Sequence, residues 1–585
     1  MKENLIGLPV KTSCFLRALN HLIAAFRSNA NGLDLSGTYI PTELKIQNAF
    51  THLELSHAHI KGKFIFQNAG ISVSACETVF SNDVEFKSGS SFNVDISNSY
   101  FKKDLIIDAV HGDVLLAEKC FFETKVSIVN SVLEKCVFKG SPSPIVFLIN
   151  ASSFTKELDV SGVEFQKESV FTEANVPGIS IFNGVSIPDN MKFNQCNFGS
   201  NGCFRGIKTG EGVVFSGCKF GEKTSFAKFG RRLTEFGKRN TFKGTHLGNE
   251  SNFSGCKFGA GFLFESGHIG KGCDFSNAQF GPSLKFEDVN IQHASFSGSK
   301  FENRASFIQC KFYNSTDFSG VSFVKTSEEN SLLLFDDASF SGVTNFSKSK
   351  FDGPVSFNGG EFKGIDFSGG MFLSSVDFTN RNFKGPTVFS DCVFEVAPQF
   401  HGATLFQDTV FTDAKFNDVG RIKQGAASAA ASYRTLRHAM EKDRSRRNQS
   451  IFYALEMRSA RNSGEVRRTA FILSFLYDWL SEYGLRTGRP LWWLLGINAA
   501  WTLIYFVIGL FFKKLSFYAC IQFTMEQLTR PFYVWRGAYK PLEELRYIWS
   551  DVSGAFQVLA SLQSLISIGL ITLLVLAIRR QFKMD

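Results

Sequence analysis

Residues 335–416 read FDDASFSGVTNFSKSKFDGPVSFNGGEFKGIDFSGGMFLSSVDFTNRNFKGPTVFSDCVFEVAPQFHGATLFQDTVFTDAKF. A phenylalanine returns every five or six residues: Phe335, Phe340, Phe346, Phe351, Phe357, Phe362, Phe367, Phe372, and on to Phe411 and Phe416. A helix repeats its faces every 3.6 residues and a strand every two, so neither gives this interval. A solenoid does, if each step is one side of a coil and its large residue points inward.

The rhythm extends outward from that stretch. Phe301, Phe307, Phe312, Phe318 and Phe323 keep it, and upstream the slot also takes aliphatics, as at Leu35, Ile40 and Ile46, or Ile96, Phe101 and Ile107. Two residues before each large one stands a small one, such as Ala278, Ser299, Ala305, Thr316, Ala338 or Val355. Within a short strand these two positions share a face, so the interior holds one bulky and one small residue per side. Cys136, Cys196, Cys218, Cys256, Cys273, Cys310 and Cys392 each fall in the small slot, which makes them core thiols. The residue just before the large one is outward and often acidic, as at Asp274, Asp317, Asp366 and Asp377. Ser, Gly and Asn follow it and suit a tight corner. The chain has 66 Phe against 12 Tyr and 6 Trp, the excess expected of one slot used repeatedly.

Units such as Cys273-Asp274-Phe275-Ser276-Asn277-Ala278-Gln279-Phe280 and Thr316-Asp317-Phe318-Ser319-Gly320 resemble the pentapeptide repeat in a divergent, Phe-rich form. The resemblance implies a right-handed, four-sided β-helix. At roughly 22 residues per coil and about 4.8 Å between coils, it would make about 17 coils and a rod of about 80 Å. Ser141–Thr155, Arg231–Arg232 and Lys325–Leu333 break the rhythm and read as loops. The resemblance also raises duplex-DNA mimicry, which needs an acidic surface; outward Lys and Arg here are as frequent as Asp and Glu, and no nucleic-acid partner is expected.

Residues 1–30 place Leu16, Leu19, Leu22, Ile23 and Phe26 at helical spacing without a long apolar run. They read as an amphipathic cap over the first coil, or as a membrane-surface helix, rather than as a secretory signal. The solenoid is assigned to 31–420. From 421 to 489 the composition turns to Ala, Arg, Leu and Glu, predicting a helical linker: a helical pair or one broken helix over Tyr433–Arg461, with Asn448 near the break. Phe471–Tyr483 is too short and too charged to span and reads as an interfacial helix.

The last region, 490–585, carries two candidate transmembrane helices. Leu491–Phe512 holds 22 uncharged residues opening on Trp492 and Trp493, and 557–578 holds a second apolar run closed by Arg579 and Arg580. Asn498, Gln557 and Gln563 are polar residues inside these runs. They can join helix to helix, within one chain or in a homo-oligomer, or line a pore. Basic residues flank both spans and also fill the connection of about 40 residues between them, so charge counting is nearly even. With no secretory signal, both the rod and the C-terminus are expected on the cytoplasmic side of an inner (plasma) membrane, in a multi-pass protein. Tyr433-Arg434-Thr435-Leu436, Arg489-Pro490-Leu491-Trp492-Trp493, Arg530-Pro531-Phe532 and the Arg579-Arg580-Gln581-Phe582 end resemble bacterial inner-membrane pentapeptide-repeat proteins.

Chemistry is sparse. No Walker A loop, HExxH or GxSxG is present. Gly217–Thr224 (GCKFGEKT) has phosphate-loop composition at the wrong spacing, and Phe220 and Cys218 occupy repeat slots. His52, His57 and His59 cluster without further ligands. No catalytic, cofactor or metal residues are assigned, and the chain is not expected to be an enzyme. The sequence points to a membrane-anchored solenoid scaffold for a cytoplasmic protein partner, with the lipid bilayer as its other partner. The alternative is a gated effector whose rod senses a signal while an oligomeric helical pair permeabilises the bilayer.

Overall fold

The computed structural model describes residues 32–47, 52–67, 71–90, 92–326, 331–418, 425–464, 466–511, 516–532 and 546–584. The expected cap over 1–30 lies outside them. The chain divides into two compact units. One is the repeat region through Asn417, apart from Gln399–His401; the other is Asp418–Asp585 with those three residues.

The first unit is a parallel β-solenoid. One ladder can be followed through it, each residue pairing in parallel with the next: Asp34, Glu54, Ser74, Asp95, Leu116, Val137, Asp159, Ile181, Cys203, Ser225, Asn252, Asp274, Ser295, Asp317, Asn345, Asp366, Val388, Val410. Its rungs mark about 17 turns. Most turns take 20 to 22 residues; those from Ser225 to Asn252 and from Asp317 to Asn345 are longer.

Four columns of large residues fill the interior. Phe275, Phe296, Phe318 and Phe346 stack with centroids 4.7–5.0 Å apart and rings within 8° of parallel. Phe258, Phe280, Phe301 and Phe323 stack at 4.6–4.8 Å. Phe264, Phe286, Phe307 and Phe335 stack at 4.6–4.9 Å, and Phe312 on Phe340 at 4.4 Å. The coil spacing of a parallel sheet is thus also the ring spacing. The cysteines of the small slot are buried, and most do more than fill space. Cys310 Sγ donates to the Phe286 carbonyl (3.4 Å), Cys392 Sγ to that of Phe367 (3.0 Å) and Cys256 Sγ to that of Phe226 (3.2 Å). Ser299, Ser349 and Thr245 do the same through hydroxyls at 2.7–3.0 Å.

The alternation of five and six maps onto corners. After Phe275, Phe296, Phe318 and Phe367 comes a step of five residues, closed by hydrogen bonds from the N–H of Ala278, Ser299, Val321 and Gly370 back to the Phe carbonyl. The third residue of each such turn, Asn277, Gly298, Gly320 or Gly369, has positive φ, which explains the Gly and Asn two places after the large residue. The outward acids brace these corners. Asp274, Asp317, Asp366 and Asp377 each accept the N–H two residues on, at 2.7–2.9 Å.

One expected loop is wrong. Within Ser141–Thr155, Val146–Asn150 is a strand paired with Lys125–Val129, and Phe147, Ile149 and Phe154 point inward. Closely spaced aliphatics hid the slot there. The long turn at Arg231–Arg232 does leave the rhythm. Leu333 already lies in a strand, so the third interruption ends earlier than 333.

The second unit is helical: α1 (Ala426–Lys442), α2 (Arg446–Asn462), α3 (Arg468–Ser481), α4 (Gly488–Phe511), α5 (Phe517–Thr529) and α6 (Arg546–Met584). The break between α1 and α2 falls at Asp443–Ser445, where Arg444 has φ 58°, a few residues before Asn448, which is inside α2. Glu456 on α2, almost fully buried, pairs with Arg434 at 2.8 Å and Arg437 at 2.9 Å. α4 and a 23-residue part of α6, Gln557–Arg579, are long and apolar enough to cross a membrane.

Candidate functional site

Helices α3, α4 and α6 turn polar groups inward and leave large apolar side chains exposed, whereas α1 and α2 bury apolar residues such as Leu436, Met440, Phe452 and Leu455. On α4 the buried positions include Leu494, Asn498, Thr502, Tyr505 and Gly509, spaced by three and four residues and therefore on one face. Trp492, Leu503, Val507, Leu510 and Phe511 on its other faces are exposed, Phe511 at 81%. On α6, Gln563, Ser564 and Ser567 are buried while Val558, Leu562, Leu565 and Val575 are exposed. α3 follows the same rule. Its Phe471, Ile472, Leu473, Phe475 and Trp479 are exposed, while Asp478 faces Arg458 and Arg461 of α2 at 2.7 and 2.9 Å.

The inward polar groups form one network across α4, α5 and α6. Gln563 is its hub. Its amide nitrogen donates to Asn498 Oδ1 at 2.9 Å and to the Thr524 carbonyl at 3.2 Å, and its oxygen accepts the Tyr505 hydroxyl at 2.8 Å. Asn498 Nδ2 also donates to the Leu494 carbonyl at 2.8 Å. Thr502 and Thr524 hydroxyls meet at 3.0 Å. Beneath the network, Tyr505, Ala519, Cys520, Phe523 and Ala560 make an apolar cluster, with Tyr505 edge-on to Phe523 at 5.0 Å.

Of the three residues singled out in the spans, the fold brings Asn498 and Gln563 into direct contact. Gln557 is half-buried and does not join them; its backbone carbonyl accepts Ser561 Oγ at 2.6 Å. Sequence reasoning missed Tyr505, Thr502, Thr524 and the whole of α5, which sits inside the connection between the spans. Ser516 offered a signal for α5, since its hydroxyl caps the helix by accepting the Ala519 N–H at 3.2 Å. Gln527 on α5 is fully buried, and among the described residues its side-chain amide has no partner.

The other sequence candidates stay in the rod. His52 lies 3.8 Å from Glu54, His57 is 3.1 Å from Glu77 and His59 bonds Ser81 at 3.0 Å, so the three rings turn to different partners. Cys218 and Phe220 of the Gly217–Thr224 stretch are core residues. Among the described residues no three His, Cys, Asp or Glu side chains converge in a manner fit for a metal ion. Outward charges pair between coils, as in Lys135–Glu157 at 2.9 Å, Lys125–Asp104 at 3.2 Å and Lys243–Glu265 at 3.2 Å.

No protein-family model matches the chain, and no curated relative does. Among solved structures the chain is similar to QnrB1, described as a plasmid-mediated fluoroquinolone resistance protein. The match has 13% identity and a TM-score of 0.14, and covers 50% of this chain and 96% of that one. A likeness that slight says nothing of activity; the solenoid stands on the chain's own ladder and ring stacks.

Proposed function

We propose that this chain is a pentapeptide-repeat scaffold anchored in a lipid bilayer by α4 and α6, whose solenoid binds a cytoplasmic protein partner. The reversed polarity of α4 and α6 carries the membrane half of this reading. In water, exposing Trp492, Leu503, Leu510, Phe511, Leu562 and Leu565 while burying Asn498 and Gln563 would forfeit about 1.5–3 kcal/mol per large side chain. In hydrocarbon the same arrangement is favourable, because lipid takes the apolar faces and the amides satisfy each other. α3, with apolar side chains out and its carboxylate turned inward, suits the interface beside the spans.

The scaffold half is supported by the rod's construction. Its large side chains are spent on the interior and its outward acids on corners, which leaves a rigid surface for recognition. A pore is the weaker reading, since Asn498 and Gln563 face each other within one chain instead of standing open to a lumen.

The test is extraction of the expressed full chain. It should stay with the membrane fraction through alkaline carbonate and high salt and leave only with detergent. Release by carbonate would overturn the anchor. Reconstituted chain should be electrically silent in planar bilayers, and steady conductance would favour the pore. For the partner, site-specific photo-crosslinkers on outward rod positions should give a discrete adduct in cells; their silence across all faces would sink the scaffold reading.

A further inference from the structure

The turn from Ser225 to Asn252 spends five residues more than the preceding turn from Cys203 to Ser225. The extra length folds into a tight reversal in which Phe229 and Arg232 exchange backbone hydrogen bonds at 2.8 and 3.0 Å around Gly230. The reversal is fixed at its base: buried Thr234 donates to the Ala227 carbonyl (3.1 Å) and accepts the Gly206 N–H (2.9 Å). It lies on two glycines of the coils below. A Cβ at Gly206 would come within 2.8 Å of Phe229 Cβ, and one at Gly184 within 3.2 Å of the Arg232 guanidinium. Arg232 reaches down to donate to the Gly184 carbonyl at 3.2 Å.

Between this reversal and the neighbouring side of the rod is a cleft of about 360 Å³. It is lined by Ser186, Lys208 and Glu235 together with Arg231, Arg232 and Leu233. The lining carries three cations and one carboxylate. Glu235 is also shared, lying 4.0 Å from Lys208 and 3.5 Å from Lys257, which is outside the cleft. No acid pairs with Arg231 or Arg232 among the described residues. Some outward cations of the rod meet an acid of the next coil, as Lys135 and Lys243 do; here three cations converge on one cleft with a single carboxylate. A concave site with excess charge of one sign concentrates the opposite ion. Two guanidinium forks are matched in shape to the oxygens of a phosphate. Half-exposed Phe229 and Leu233 on the same reversal add apolar surface beside the charge.

We propose that this cleft binds a small phosphate monoester. Arg231, Arg232 and Lys208 neutralise the dianion, Ser186 donates to it, and the apolar lip of the reversal takes the ester group. The volume suits a molecule of drug-like size or less, and the surplus of two positive charges matches a dianion. A free phosphate ion shares this chemistry without needing the lip.

The experiment is calorimetric titration of the full chain in non-ionic detergent with phenyl phosphate and, separately, with inorganic phosphate. One saturable site per chain is expected, weakening as salt rises. R231Q and R232Q should each weaken binding about tenfold or more. E235Q should tighten it severalfold, a gain that loss of structure would not produce. R304Q, an exposed arginine elsewhere on the rod, should bind as the wild type does. Tighter binding of phenyl phosphate assigns an ester; equal binding of both probes supports the site and assigns the free ion. No saturation by either probe up to about 10 mM, or equal losses in R304Q and R231Q, would overturn the proposal.

Discussion

At the residue scale, the small inward slot is where the rod is least uniform. Arg381 occupies it, fully buried. It fits because Gly360, one coil below, has no side chain: a Cβ there would lie 2.7 Å from the guanidinium. Arg381 donates one hydrogen bond, to the Gly359 carbonyl at 2.5 Å, and lies 3.9 Å over the Phe362 ring. Among the described residues its Nε and its other terminal nitrogen have no hydrogen-bond partner. Burial pulls its proton affinity down, to about 9. One charged hydrogen bond offers about 2 kcal/mol, and the cation–π contacts with the Phe362 and Phe340 rings, at 3.9 and 5.4 Å, together about 2 kcal/mol, against several kcal/mol for burying the ion. R381M, of similar volume, should therefore stabilise the protein by about 1–2 kcal/mol in chemical denaturation; a loss of stability would show that the guanidinium is a net support. The slot rule could not reveal Arg381, because the room for it was made 21 residues earlier.

The cysteines were legible where Arg381 was not. A thiol has the size the slot requires, and the spacing to Phe put each one there. Their role as donors to the coil below was not legible, since it depends on which carbonyl the corner presents. Burial pushes the thiols of Cys310 and Cys392 up to about 12. In native protein at pH 8 these and Cys256 should resist a disulfide reagent for as long as the rod stays folded, and react at once in denaturant. Rapid modification under native conditions would contradict the packed interior.

At the scale of elements, the five–six rhythm was readable but its meaning was not. The step lengths distinguish two kinds of corner, and the hydrogen bonds from the N–H of Ala278, Ser299 and Val321 back to the Phe carbonyl show which corner is which. α5 was hidden because length and hydropathy find spans, and a helix of 13 residues is neither span nor evident loop. Its carbonyl at Thr524 completes the network around Gln563. Q563L removes three hydrogen bonds and leaves Tyr505 and Asn498 short of a partner. It should cost about 1–2 kcal/mol in the helical unit, near the upper end for membrane hydrogen bonds, read by thermal unfolding in detergent; an unchanged midpoint would mean that the network is not closed.

The α2–α3 contact has a pH signature. Burial raises the proton affinity of Asp478, but hydrogen bonds and charge from Arg458 and Arg461 outweigh it and hold the carboxyl below its ordinary value of 3.8. A carboxyl depressed in the folded state contributes stability above its unfolded pKa, and that contribution is lost as pH falls through the folded one. Wild type should therefore lose its advantage over D478N on acidification below about pH 4, with a constant gap from there to neutrality. A gap that widened in acid would have the wrong sign.

At the scale of the whole molecule, architecture was far more legible than purpose. The solenoid declared itself because one rule governs hundreds of residues, whereas Asn498, Gln557 and Gln563 looked alike in one dimension. Only the helix faces separate the first and third, which meet, from the second, which does not. The cleft beside Arg231 was visible in sequence merely as a broken rhythm; the glycines beneath it come from two earlier coils.

The ladder also makes the rod's length a countable quantity. Ser295 and Asp317 stand one above the other, so removing residues 296–317 joins Ser295 to Phe318 with each face still over its counterpart. Such a chain should keep its circular-dichroism spectrum and cooperative melting, shorter by one graduation. Removing ten residues from the same place would set sides against corners and abolish the fold. Equal tolerance of both cuts would refute that register. Insertions and losses of one full period would thus be neutral to folding, so descent could lengthen or shorten this rod in whole coils as a ruler is cut at its marks, changing reach while leaving its cross-section alone.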